Sequence, residues 1–350
     1  MRDSERGAGE TGTRARPRGE RLLLAASWLS LVVVVAAWGA KRYVGERHWL
    51  GVLLAFMPQQ PFLVLPALLG SVSVLRRCGT ALAVNAAALA WTCWVLMGVR
   101  VPLLNGRSAG APALRVLTYN IHCATGGVDN VARIIRDTGP DVVCLQEVAG
   151  IGNSPDPAPA LAAALSGYEV KRTSRGGMTL SRCPIVKNRV VPLGSPTVAR
   201  QALMTAIDVR GQRVTVVNVH LMTSDIGALH AESVGSLSHG LRRASAVRTQ
   251  QVAALLRLCE GVAGPLVAAG DFNTPPGTKV HRLMSAQLRD AFMQAGHGFG
   301  LTFTSARPLL RIDYVWASSQ LRVQSCRALD TQVSDHRPVL AELALQSGAR

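Results

Sequence analysis

Pro265-Leu266-Val267-Ala268-Ala269-Gly270-Asp271-Phe272-Asn273 decides the reading of this chain. A short apolar strand runs directly into a glycine, a carboxylate and an amide. Alone, Gly-Asp is a common turn opening, because Asp and Asn hydrogen-bond readily to nearby backbone. The same arrangement recurs, however, at Thr118-Tyr119-Asn120, Gln146-Glu147, Asn218-Val219-His220-Leu221 and Ser334-Asp335-His336, with Asp313 in Ile312-Asp313-Tyr314-Val315 as a sixth instance. Strand ends are where a rigid sheet can present side chains to a cleft. Each signature is weak by itself; His220 alone reads as a structural histidine and Glu147 alone as a turn residue. Asn120, Glu147, His220, Asp271, Asn273, Asp313, Asp335 and His336 together are too many to be coincidental turns.

These residue types suit phosphoester hydrolysis. That reaction needs charge neutralised on nonbridging oxygens, a water activated and a leaving oxygen stabilised. A hard cation such as Mg²⁺ takes carboxylate and amide oxygens, usually with one or two protein carboxylates; Glu147 with Asn120 beside it fits. Asp271 can act as base toward water, and His220 and His336 can donate to phosphoryl oxygens. Gly106-Arg107-Ser108-Ala109-Gly110 matches G-x-S-x-G but follows no strand, and His122-Cys123 is a bare pair with no third orienting group beside it, so a Ser or Cys nucleophile has little support.

Outward from the signatures, residues 114–119 and 141–146 read as strands, with a helix over Val128–Asp137 capped by Asp129. Alternating runs follow at 178–182, 185–191, 202–209 and 213–219, a helical period at Leu241–Glu260, and strands near 311–316, 321–326 and 338–344. Many strands with few interposed helices indicate an α/β or α+β domain with two packed sheets. Residues 222–240, rich in Gly, Ser and His, read as a substrate loop, and His122, His230 and His239 as exposed.

The N-terminal third is different. Leu22–Ala40 is charge-free over 19 residues, about 28 Å as a helix and close to the thickness of a bilayer's hydrocarbon core. Thr80–Val99 is a second such stretch. Between them Trp49–Leu75 is uncharged but broken by Pro58-Gln59-Gln60-Pro61. Its second half reads as a middle span, its first half as interfacial, with Trp49 near the headgroups. The expected organisation is a disordered basic tail (1–20), a membrane domain of three transmembrane helices (21–99), a linker (100–112) and a catalytic domain (113–346). Eight basic residues in the tail and at Arg76-Arg77, against five on the other side, place the tail in the cytoplasm. With three spans the catalytic domain is extracytoplasmic; if the middle segment does not cross, it is cytoplasmic.

Composition excludes little. Of the net charge of +17, residues 1–114 hold +8 and the remainder +9, which suits an anionic partner. Only 4 of the 38 cations are Lys, so the Arg load also fits a general compositional bias. Seven cysteines without C-x-x-C spacing cannot all pair internally and form no zinc pattern; Cys144, inside an apolar run, reads as a small buried hydrophobe.

The ordered signatures resemble the endonuclease/exonuclease/phosphatase superfamily, which includes DNase I-like nucleases, neutral sphingomyelinases and inositol-phosphate phosphatases. The resemblance covers about two-thirds of the chain. It implies a four-layer sandwich of two β-sheets flanked by helices, with Mg²⁺ (Mn²⁺ in its place) held by Glu147 with Asn120 and Asp335 near it. It also implies that Asp271 orients or deprotonates the attacking water and that Asn273 positions Asp271 and the phosphate. Asp313 would orient His336 toward the transition state, and His220 would assist from the other face. Two departures stand out: Gly177-Met178-Thr179-Leu180-Ser181-Arg182 lacks the family's asparagine, and no Glu is evident to pair with His220. With its apolar N-terminus, the chain further resembles the teicoplanin-resistance membrane proteins. That points to the lipid bilayer as partner and to a lipid-linked phosphate or pyrophosphate of the cell envelope as substrate. A membrane-tethered nuclease acting on nucleic acid and a non-catalytic scaffold are the alternatives, the former weakened by few aromatics, the latter by the completeness of the polar set.

Overall fold

A computed structural model describes residues 16–101, 114–150, 152, 154–194, 200–223 and 234–346. Most of the expected tail and linker, His230 and much of the 222–240 segment lie outside these residues. The chain divides into two compact units, residues 1–36 with 60–92 and residues 37–59 with 93–350.

The N-terminal region forms helices α1 (Arg18–Gly39), α2 (Trp49–Phe56), α3 (Pro61–Leu75) and α4 (Gly79–Trp91). In the first unit, Arg16 Nη2 donates to Thr80 Oγ1 at 3.3 Å, so α1 and α4 begin at the same end. The Arg76-Arg77 turn lies at that end too. Leu22, Leu29, Leu68 and Leu75 are 61–82% exposed, whereas Ser27, Ser73 and Asn85 are buried, Asn85 Nδ2 donating to Ser27 Oγ at 2.8 Å. Apolar outside with small and polar residues inside is compatible with helices packed in lipid.

Two helical runs are long and apolar enough to cross a membrane, Arg18–Arg47 and Gly79–Leu96. The third span expected is reached only if a further, bent pair of helices is counted as one. Trp49–Phe56 and Pro61–Leu75 pass only as a broken pair counted together, because the Pro58–Pro61 turn interrupts them. The 15 residues of α3 rise only about 22 Å. The helix α2, expected at the interface, belongs to the second unit.

That second unit holds the site. Its strands are β1 (Leu114–Asn120), β2 (Val142–Gln146), β3 (Glu169–Arg172), β4 (Met178–Ser181), β5 (Ile185–Leu193), β6 (Arg200–Val209), β7 (Gln212–His220), β8 (Leu266–Asp271), β9 (Arg289–Asp290), β10 (Asp313–Ala317), β11 (Leu321–Ala328) and β12 (Val339–Leu345). They form two six-stranded mixed sheets, ordered β11-β12-β1-β2-β4-β3 and β5-β6-β7-β8-β10-β9. Helices α5 (Val128–Thr138) and α6 (Ala158–Ala164) cover the first sheet; α7 (Val234–Glu260) and α8 (Lys279–Gln287) cover the second, and α9 (Ala291–Ala295) follows β9. The helix expected from Leu241 begins seven residues earlier, at Val234, inside the expected loop. Gly127, not Asp129, occupies the N-cap of α5. Phe56 of α2 lies beneath the Arg248 guanidinium of α7, 4.6 Å from ring centroid to Cζ.

Strand alternation sorts side chains between the layers. In β1, β7, β8 and β10, Val116, Val216, Val267 and Val315 point into the apolar layer between the sheets. Their neighbours Leu117, Val217, Ala268 and Trp316 face the helices. Continuing the same period carries Asn120, His220, Asp271 and Asp313 onto the inner face at one end of the sandwich. The fold therefore turns four separate sequence signatures into one cluster.

Candidate active site

Pairing register brings the cluster together. His220 is the ladder partner of Asp271 across the parallel β7–β8 pair, and Asp313 is the partner of Asp271 across β8–β10. Tight approach at this point depends on Gly270, where an added Cβ would lie 1.8 Å from the Val219 carbonyl oxygen. The first sheet contributes Asn120 at the end of β1 and Glu147 just past β2. Alternation alone would aim Glu147 away, since Gln146 before it already points inward to Thr118 and Asn218. A left-handed backbone at Glu147 (φ 56°) turns it, a conformation uncommon for non-glycine residues and frequent at functional sites.

Asp271 sits at the centre. Its Oδ1 accepts the Asn273 backbone N–H at 2.8 Å; its Oδ2 accepts Asn273 Nδ2 at 3.0 Å and Asn120 Nδ2 at 3.1 Å. Asn120 Nδ2 also donates to Glu147 Oε1 at 2.9 Å, bridging the two carboxylates. Burial pushes the Asp271 carboxyl up to about 7, with Asp313 adding to the rise and His336 opposing it. A nearly neutral-range carboxyl in contact with a second acid is a group poised to exchange protons at physiological pH.

Two histidines flank it. His336 Nδ1 lies 2.9 Å from Asp313 Oδ2, leaving Nε2 3.9 Å from Asp271 Oδ2. Burial disfavours the imidazolium, but Asp313 and Asp271 outweigh burial and raise the ring to about 10. His220 Nε2 lies 3.6 Å from Asp271 Oδ2 and 3.7 Å from Glu147 Oε1, with no hydrogen-bond partner among the described residues. Burial, aided by Arg200, holds His220 well below the ordinary histidine value. Its Nδ1 receives the Arg200 guanidinium, Nη1 at 3.2 Å. Arg200 can only donate, so the His220 proton resides on Nε2, aimed into the site. The sequence shows no carboxylate partner for His220, and the structure supplies a cation instead. A lone arginine opening β6 gave no signal of this role.

Seven of the eight expected residues thus meet: Asn120, Glu147, His220, Asp271, Asn273, Asp313 and His336. Asp335 lies at the rim. Its side chain is 40% exposed and its Oδ1 is 3.8 Å from His122 Nδ1, while Ser334 beside it locks the loop to β1 by donating to the Asn120 carbonyl at 2.8 Å. Asn120 turns its amide N–H toward the carboxylates, and its Oδ1 accepts the His122 backbone N–H. Glu147, His220 and Asp271, and likewise Asp271, Asp313 and His336, offer atoms within 4.8 Å of one another. The donor set fits a divalent cation: Glu147 and Asp271 share one bridging amide, and no fixed cation forms an ion pair with either among the described residues beyond the histidines. His239 is exposed and His122 half-buried, both outside these groups.

Comparison with known proteins agrees with this geometry. The model of the Endonuclease/Exonuclease/phosphatase family matches residues 117–336. An endonuclease/exonuclease/phosphatase from Beutenbergia cavernae is 26% identical, with a TM-score of 0.52 over 67% of this chain and 72% of that one. A mannosyl-6-phosphatase from Bacteroides thetaiotaomicron is similar at 16% identity and TM-score 0.52, over 66% of this chain and all of that one. The D. rerio TDP2 complexed with single strand DNA product is similar at 15% identity and TM-score 0.52, over 66% and 98%. None of the curated proteins compared with the chain matches it.

Proposed function

The chain belongs to the endonuclease/exonuclease/phosphatase family, a family of divalent-metal-dependent hydrolytic phosphoesterases, and from that premise we propose that it is a membrane-anchored, Mg²⁺-dependent phosphoesterase acting on a lipid-linked phosphate or pyrophosphate of the cell envelope. The observation that carries the catalytic reading is the convergence of strand tips from both sheets on Asp271. The apolar helices α1 and α4 support the anchor and, through it, a substrate held in the bilayer.

In this reading Glu147 is the principal metal ligand, with Asn120 holding its carboxylate in place and Asp335 contributing from the rim. The cation supplies charge neutralisation at the nonbridging phosphoryl oxygens. Asp271, buried and titrating near neutrality, accepts the proton of the attacking water. Asn273 holds it through two hydrogen bonds. Protonated His336, kept charged by Asp313, and neutral His220 each present Nε2–H to the phosphoryl oxygens from opposite sides. With α1 and α4 crossing and the bent α2–α3 stretch counted as the third span, the Arg16, Arg18, Arg21, Arg76 and Arg77 end lies in the cytoplasm and the catalytic domain outside it.

The test is direct: detergent-solubilised protein with Mg²⁺ is offered polyprenyl pyrophosphate, phospholipid, and single- and double-stranded DNA side by side. Preferential release of phosphate from the lipid-linked substrate is expected. Cleavage of DNA with the lipids untouched means a tethered nuclease, and no hydrolysis of any arm, with the fold intact, means a binding scaffold; either result ends the proposal.

A further inference from the structure

Where α1 ends, residues 40–47 turn back against α7 and α8, and between them lies a cavity of about 740 Å³, within the range of small-ligand sites. Five cationic side chains line it, Arg42, Arg47, Arg242, Lys279 and Arg282, against one carboxylate, Glu46. Glu46 is already engaged: Oε2 accepts Ser245 Oγ and Oε1 accepts the Lys279 backbone N–H, both at 2.8 Å. Among the described residues none of the five cations forms an ion pair with an acidic side chain. Five like charges crowded at one opening against a single carboxylate repel one another and attract an anion.

The second observation is location. The cavity wall begins directly after the apolar run of α1, and Tyr43, beneath the Arg42 guanidinium at 5.5 Å, is 69% exposed and edge-on to Trp38 at 6.0 Å. An exposed Tyr with a half-buried Trp and an Arg beside it marks the level of lipid headgroups. We propose that this cavity binds the phosphate headgroup of an anionic membrane lipid. The lipid would be a ligand distinct from the substrate, seating the catalytic domain at the bilayer surface. None of the lining side chains belongs to the Asp271 cluster. The inference rests on the anchor reading for its nearness to the bilayer, and not on the catalytic reading.

Purified full-length protein in detergent is titrated with dioctanoyl phosphatidylglycerol, dioctanoyl phosphatidylcholine and inorganic phosphate, bound ligand being read by native mass spectrometry. The anionic lipid is expected to bind at least ~10-fold more tightly than the zwitterionic one, and Arg42→Ala/Arg47→Ala/Arg242→Ala to lose about that factor. Arg189→Ala/Arg322→Ala, which removes exposed charge elsewhere in the unit, is expected to bind as wild type. Should the triple variant melt early, Arg47→Ala and Arg242→Ala singly, each at an exposed position, serve with a smaller expected loss. Equal binding of the two lipids, displacement by equimolar phosphate, or undiminished binding by the cavity variants overturns the proposal. Carbonate extraction of cell membranes tests the anchor separately: a chain released by carbonate disproves the anchor, whatever the lipid titration shows.

Discussion

The Arg200 guanidinium lies 3.2 Å from Nδ1 of His220 and thereby decides which ring nitrogen carries the proton. A carboxylate at that place would accept from Nδ1–H and favour an imidazolium. Arginine does the opposite, keeping the ring neutral and Nε2–H turned toward Asp271 and Glu147. Arg200 is itself braced by donating to Thr223 Oγ1 at 3.2 Å. Arg200→Ala is expected to lower kcat/KM by ~10–100-fold, the size of one lost charged hydrogen bond, with Arg200→Lys recovering part of it. Steady-state kinetics on an aryl phosphate diester and monoester check this; unchanged kcat/KM in Arg200→Ala would show that His220 needs no such partner.

Asp271 is 1% exposed and accepts three hydrogen bonds, so the isosteric Asp271→Asn is the informative change. It keeps the size while removing the proton acceptor. A loss of ~10²–10⁴-fold in kcat is expected, the span for a positioned acid–base group. Near-wild-type turnover would remove Asp271 from the role of base.

Chelation follows from the shared-amide carboxylates. EDTA should abolish hydrolysis, and Mg²⁺ or Mn²⁺ should restore it. Glu147→Gln should raise the Mg²⁺ concentration for half-maximal rate by at least ~10-fold, since even residues that only support metal ligands cost that much. Metal-titrated activity assays measure both, and indifference to chelator would dismiss the metal role of Glu147.

Outside the catalytic cluster, Arg311 and Asp290 form a buried two-pronged ion pair, Nη1 to Oδ1 at 3.0 Å and Nη2 to Oδ2 at 2.8 Å. Burial would raise the Asp290 carboxyl, but Arg311 and His281 pull it far below the ordinary carboxylate range. Burial lowers His281 itself beneath 6.5. Both groups are depressed on folding, so their contributions are present above their unfolded values and lost as pH falls. Stability should begin to decline below about 6.5 through His281 and fall further below about 4 through Asp290. Asp290→Asn leaves Arg311 buried without its counter-charge and should cost about 3–5 kcal/mol. Chemical denaturation against pH tests this, and a flat profile from pH 7 to 4 would refute it.

The sandwich was legible because its strands obey alternation. Residues 114–119, 141–146, 185–191, 202–209 and 213–219 agree with β1, β2, β5, β6 and β7 to within a few residues. The strands β3 and β9, of four and two residues, were not, being too short and polar for a period to show. The α7 start at Val234 was obscured by Gly235, Ser236, Ser238 and Gly240, residues of turn composition drawn into helix by the packing of the segment that follows. The middle apolar stretch divides at Pro58–Pro61 as its sequence indicates, but where each half sits was not legible, because hydropathy reports only that a segment avoids water. It does not distinguish lipid from a protein surface, and α2 found the latter beside Arg248.

Local sequence determined which side chains would face the interior of the sandwich, since a period of two needs no knowledge of partners, and it determined the chemical types available there. Only tertiary structure could decide what stands next to what. Register set His220 and Asp313 on either side of Asp271, a left-handed residue turned Glu147 inward, and Arg200 arrived at His220 from a strand whose sequence carries no mark of the site. Adjacency between residues distant in the chain is a property of pairing and packing energies summed over the whole domain, which no local window contains.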